Sequence, residues 1–190
     1  MKNIFYFLAA FFVFSAFTST NTLWKNDKAH SQLSFTVTHL GISDVSGYFK
    51  DFDVDIQSNK PDFSDASFKL TAKTSSIDTR IEARNNHLKS ADFFDAANHP
   101  EITFVSTSIS PKGNNLYDLA GDLTMRGVTK KITMELKHRG TVASDDGKKT
   151  TAGFSLSGTL KRSDFNIGEK FPEAAISDIV RIKADGEFIK

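Results

Sequence analysis

The sequence predicts an all-β domain, an antiparallel barrel of about eight strands that carries a short helical plug or lid. Three observations predict it. Runs that alternate apolar and polar residues recur from Leu33 to Phe188 and mark half-buried strands. Short turn-forming links such as Ser58-Asn59-Lys60-Pro61-Asp62, Gly113-Asn114-Asn115 and Asp145-Asp146-Gly147-Lys148-Lys149 join them, without the strand–helix–strand rhythm of a parallel sheet. One segment, Arg84 to Asp95, breaks the period of two. A two-sheet sandwich satisfies the same alternation. A bend in the second strand, the helical interruption and the absence of cysteine favour a closed barrel, which leaves no sheet edge unpaired.

Taken in order, the first strand sets Leu33, Phe35, Val37 and His39 on one face against Ser34, Thr36 and Thr38. After Gly41 a long run from Val45 to Ile56 carries Val45, Gly47 and Phe49 in one phase and Phe52, Val54 and Ile56 in the other, so a bulge or sharp bend must lie between them. A third strand, about Ala66 to Thr74, faces Phe68, Leu70 and Ala72 inward. Leu88 and Ala91 can then form the apolar face of a short helix over Arg84 to Asp95, tipped by Phe93 and Phe94 between Asp92 and Asp95. Beyond Pro100 the alternation returns with Ile102 and Phe104, and then with Tyr117, Leu119, Gly121 and Leu123. Ile132, Met134 and Leu136 follow, and Ala152, Phe154, Leu156, Gly158 and Leu160 give the cleanest run. Arg162 to Ser177 reads as an ordered loop, and Val180, Ile182, Ala184 and Phe188 face inward from a last strand.

Residues 1–20 read as a cleaved signal peptide. Lys2 supplies a positive start and Ile4 to Phe17 an apolar stretch short for a membrane span. An uncleaved anchor is the alternative. Residues 21–190 then form one domain, exported to the periplasm or secreted, with no stable transmembrane span after cleavage. With no cysteine in the chain there is no disulfide, no thiolate metal site and no lipoprotein anchor, so the core alone must hold the fold. The formal net charge of +1 offers no field to attract nucleic acid. Twelve of the 18 phenylalanines fall after residue 20, beside a single tryptophan, Trp24. An interior rich in rings without hydroxyls suits flexible hydrocarbon better than polar recognition.

These residues carry a family resemblance. His30-Ser31 with Phe35, Val37 and His39, then Val45-Ser46-Gly47-Tyr48-Phe49 and Phe52, then the Arg84 to Asp95 block with Pro100, follow one another in order. Gly121-Asp122-Leu123-Thr124 with Gly127-Val128-Thr129, and Arg162-Ser163-Asp164-Phe165 with Ser177-Asp178 and Val180, complete the set. From Trp24 to Lys190 the chain resembles the YceI family of bacterial lipocalin-like, polyisoprenoid-binding proteins. The resemblance implies an extended barrel whose interior holds an isoprenoid chain, such as the tail of an isoprenoid quinone, as ligand rather than cofactor, for transport or storage. It is compatible with a homodimer.

The channel residues expected on this basis are Phe35, Val37, His39, Phe49, Phe68, Leu70, Phe94, Phe104, Leu119, Met134, Leu136, Phe154, Leu156, Val180 and Ile182. Arg84, His87 and Asp92 are expected at a polar mouth or lid. The same apolar residues could instead pack a closed core, which would make the protein an exported, stress-related structural or interaction module. His39, His87 and His99 form no metal-ligand spacing, and no nucleophile elbow places serine, histidine and aspartate together. No catalytic residue, metal or cofactor is therefore assigned, and a lipid hydrolase or isomerase is the remaining rival.

Overall fold

The structure, a computed structural model, describes residues 22–190; the expected signal peptide at 1–20 lies outside the described residues. Eleven strands form one antiparallel sheet: β1 (Thr22–Asn26), β2 (Gln32–His39), β3 (Ser43–Phe49), β4 (Phe52–Ser58), β5 (Ser67–Lys73), β6 (Ile77–Asp78), β7 (Glu101–Gly113), β8 (Leu116–Met125), β9 (Val128–Ala143), β10 (Thr150–Lys161) and β11 (Ile179–Ile189). Helix α1 (Glu82–Lys89) interrupts them between β6 and β7.

These strands make a closed barrel of eight staves, because three staves are each broken in two. Strands β1 and β2 together occupy one position beside β11: β2 pairs with it from Arg181 to Asp185, and β1 with Phe188 and Ile189. Strands β3 and β4 form the next stave, β4 pairing with β1 and β5, and β3 with β2 and β6. The bend expected between Phe49 and Phe52 is therefore a handover between partners. The three breaks lie side by side and are stitched together. Lys73 N donates to Asp51 O at 2.9 Å, Lys50 N to Ser76 O at 3.3 Å, and Val54 N to the Asn26 side chain at 2.8 Å.

The lower end is shut by rings. Phe63, only 2% exposed, follows the Ser58–Asp62 turn and turns under the barrel. It meets Trp24 at 5.2 Å, His138 at 4.8 Å and Phe154 at 4.9 Å between centroids, two of these being edge contacts that suit aromatic quadrupoles. Asp65 secures the turn by accepting from the Ser58 hydroxyl and from Asn59 N at 3.0 Å, and the Tyr117 hydroxyl donates to Asp62 O. Burial pushes the His138 imidazole below its usual pKa, so the ring is a neutral part of this floor. Its Nε2 meets Thr141 Oγ1 at 3.0 Å.

The helical segment is shorter than the sequence implies. Helix α1 ends at Lys89, where Ser90 is extended and its hydroxyl donates to His87 O at 2.7 Å, so Ala91, Phe93 and Phe94 lie in the turns that follow. None of its residues is fully buried; side-chain hydrogen bonds hold it together with Leu88, its one apolar contact to the core.

Phe63 anchors the floor, so Phe63→Ala should lower stability by about 3–5 kcal/mol in chemical denaturation. A loss under about 1 kcal/mol would show that the floor contributes little to the core.

Candidate ligand-binding site

Inward positions of the staves surround two apolar chambers. The inner one, of about 150 Å³, is walled by Phe68, Leu70, Phe104, Leu119, Met134, Leu136, Phe154 and Leu156 and reaches down toward the floor. The outer one, of about 300 Å³, is bounded by Val37, His39, Phe94 and Val180 and roofed by Arg84 and His87 of α1. Phe35, Phe49, Met125, Leu160 and Ile182 border both and form the neck that stands between them. Each residue expected in the channel thus borders one chamber or the neck. Asp92 does not; it lies outside the void as a strut.

The space persists because rings lie against the wall. Phe35 pairs across with Gly47, and a Cβ at Gly47 would stand 2.4 Å from the ring. Phe104 lies on Gly121 in the same way, at 2.5 Å. Glycine at these two inward positions lets large rings lie flat on the neighbouring strand instead of projecting into the lumen.

The roof is tied down by polar groups. Asn85 Oδ1 accepts from Thr79 N and from the Thr79 hydroxyl, both at 2.7 Å, while Arg84 Nε and Nη2 donate to Thr79 Oγ1 and O, both at 2.8 Å. Asp78 accepts from Arg80 N at 2.9 Å, from Asn85 Nδ2 at 3.1 Å and from Lys50 Nζ at 3.1 Å, and these donors hold its pKa down to about 2. Asp92 Oδ1 meets Lys170 Nζ at 2.6 Å, which joins the turn after α1 to the loop between β10 and β11 and lowers the Asp92 pKa. His87 stands 3.7 Å from Asp92 and packs edge-on against Phe93 at 4.9 Å; Phe93 in turn stacks on Phe171 at 4.8 Å.

Two arginines organise the rest of the mouth. Arg126, in the hairpin turn between β8 and β9, donates to Ala91 O at 2.8 Å and to Asn166 O, gripping both roof segments. Arg162 is buried, and its guanidinium serves five backbone carbonyls: Ser177 through Nε, Ile167 and Gly168 through Nη1, and Phe171 and Ile176 through Nη2. Those bonds use all five of its N–H groups, so it shapes the loop without a donor left for a ligand.

Sequence reasoning missed part of this site. Met125, Leu160, Phe52 and Leu123 share the inward phase of strands already recognised and could have been read from it. Ile167, Phe171 and Ile176 sit in a loop with no periodicity, and only the arginine that gathers their backbone brings them to the chamber. Among the described residues one histidine–carboxylate cluster, Asp27, His30 and Glu187, places its ligand-capable atoms within 4.8 Å of one another. It lies on the exterior where β11 passes from β2 to β1, and Asp27 there caps the 3₁₀ turn Lys28–His30.

A closed antiparallel barrel, plugged below and opening above into a two-part apolar void, defines a small-ligand-binding class of β-barrel rather than a filled sandwich. Residues 24–188 match the model of the YceI-like domain. The chain is 38% identical over 168 residues to Protein YceI of Salmonella arizonae, covering 87% of each. A Campylobacter jejuni YCEI protein superposes with a TM-score of 0.73 at 29% identity, over 95% of this chain and 97% of that one. A polyisoprenoid binding domain from Saccharophagus degradans implicated in plant cell wall breakdown shares the fold, with a TM-score of 0.68 at 16% identity over 89% and 98%. The chain belongs to the YceI family.

Replacing Arg162 by methionine orphans five carbonyls and should cost at least about 3 kcal/mol, and lysine, with donors on a single atom, should recover only part of it. Urea unfolding of both variants measures this; full recovery by lysine would contradict the five-carbonyl role. The depressed Asp78 pKa contributes stability that is present above about pH 4 and is lost as pH falls toward about 2. The stability gap between wild type and Asp78→Asn should therefore close over that window in acid titrations, and a gap that stays constant would contradict the assignment.

Proposed function

We propose that the barrel binds a long-chain isoprenoid lipid without transforming it, holding the tail in the inner chamber and the head group in the outer one, and that it transports or stores that lipid in the periplasm or outside the cell. The observation that carries the reading is the pair of adjacent apolar chambers inside one barrel, with Phe35, Phe49, Met125, Leu160 and Ile182 lining both. A dry apolar cavity of about 150 Å³ accepts one benzene, so the two chambers together suit roughly 18 carbons, or between three and four isoprene units. At about 0.8 kcal/mol per buried methylene, two or three units outweigh the cost of association. The related fold of a polyisoprenoid binding domain supports the same class of ligand.

The polar groups favour a binder over an enzyme. The hydroxyl of Thr79, which borders the outer chamber, is bonded to Asn85 and Arg84 rather than to a histidine, so it lacks the base that activates a nucleophile. Arg84 spends Nε–H and one Nη2–H on Thr79, which leaves its other three N–H groups as donors for a head-group oxygen, an isoprenoid quinone carbonyl being one that fits.

Native mass spectrometry after gentle purification should show protein carrying an extractable isoprenoid. Ile182→Trp, which fills the neck, should reduce the bound fraction at least tenfold while leaving the far-ultraviolet circular dichroism unchanged. An empty wild-type barrel that also refuses added isoprenoid would favour the structural-module reading. His87→Gln should change the preference between quinone and alcohol head groups more than it changes the melting temperature, whereas Arg84→Met, which also cuts the tie to Thr79, should change the preference and lower the melting temperature; destabilisation without a change in preference would remove the head-group role.

A further inference from the structure

The hairpin between β2 and β3 divides its side chains between two environments. Val37, His39 and Val45 face the outer chamber, whereas Leu40 and Ile42 at the tip stand beyond it, 56% and 84% exposed. Leu40 and Gly41 both take left-handed backbone angles, with φ of 51° and 70°. Asparagine or glycine is the usual choice for such a turn, and a leucine there carries a local strain that no packing returns. The tip is also prepared for an environment poor in water. Leu40 N donates to Ala175 O at 3.0 Å and Ile42 N to His39 O at 3.1 Å, so these two amides need no solvent partner.

Neighbouring segments continue the apolar rim. Ile81, 52% exposed, immediately precedes α1, and Ile179, 42% exposed, precedes Val180 of the outer chamber. No charged residue occurs from Leu40 to Ser43, and the next, Asp44, is neutralised by Arg181 Nη2 at 2.6 Å and accepts from the Thr38 hydroxyl at 3.0 Å.

We infer that this rim seats the mouth of the barrel in the interfacial zone of a phospholipid bilayer, with Leu40 and Ile42 entering the acyl boundary. The inference rests on the lipid-binding reading above, since an isoprenoid tail resides in membrane and must pass to the chamber without crossing water. A protein partner would need polar groups at the contact to pair with its own, whereas the tip itself presents the aliphatic side chains of Leu40 and Ile42. Two inserted side chains give weak, reversible attachment, in keeping with a carrier that must leave again.

Flotation of the purified protein with phosphatidylethanolamine–phosphatidylglycerol vesicles tests this directly. Wild type should float with the vesicles, with little loss on raising the salt, because insertion of aliphatic side chains is not screened. Leu40→Ser with Ile42→Ser should lower the partition at least tenfold without altering the melting temperature. Farnesol offered in the vesicles should then load more slowly, while farnesol offered in detergent micelles loads as before. A wild type that stays in solution, as a protein-docking rim would, or a double variant that floats equally well, overturns the inference. Failure of farnesol to enter from either source counts against the lipid-binding reading, and flotation still decides the membrane contact.

Discussion

A closed hydrogen-bonded ladder fixes the girth of a barrel whatever stands inside it, and the rest of this protein follows from that constraint. Eight staves set a radius that side chains can just fill. Here they fill it at one end only. Phe63, Trp24, His138 and Phe154 interlock at the floor, while above them Leu70, Leu156 and Ile182 leave the axis open and Phe35 and Phe104 are laid against glycines. The void is therefore a consequence of which residues occupy the inward phase, and closure of the ladder keeps it from collapsing, because the strands cannot approach without breaking their hydrogen bonds.

The three broken staves give the barrel its asymmetry. Below the breaks β1, β4 and β5 complete the plugged end; above them β2, β3 and β6 give the wall on which α1 and the long loop rest. At that upper end polar chemistry works beside the buried Phe93, Phe165 and Ile167. Helix α1 has no fully buried residue and hangs on Asn85 and Arg84, and the loop from Arg162 to Ser177 is gathered around one guanidinium. A roof held by hydrogen bonds at its ends can shift over an apolar chamber without exposing a large core, which suits a site whose ligand must enter and leave.

Much of this was legible in the sequence because a barrel wall imposes a strict period of two. Phe68 with Leu70, Leu119, Met134 with Leu136, and Phe154 with Leu156 declare their face through alternation alone, and the same phase predicts the staves in order. The helix was misjudged at both ends: Leu88 does turn to the chamber, but Ala91 lies past the stop at Ser90, and side-chain hydrogen bonds to Thr79 fasten the segment. Phe171 and Ile167 left no periodic trace. Their approach to the chamber depends on Arg162 reading five carbonyls, a relation between a side chain and a distant backbone that no local pattern encodes. Phe63 was hidden for a related reason, lying just past a turn cluster that also serves as the floor.

The central claim is that the inward-facing apolar residues enclose a chamber for a chain molecule rather than a packed core. Methyl NMR on the methionines tests it most directly, because Met125 stands at the neck and Met134 in the inner chamber. On loading with an isoprenoid, both methyl resonances should shift and show nuclear Overhauser contacts to the tail. Shifts confined to exterior residues, with both methionine methyls unmoved, would contradict the account.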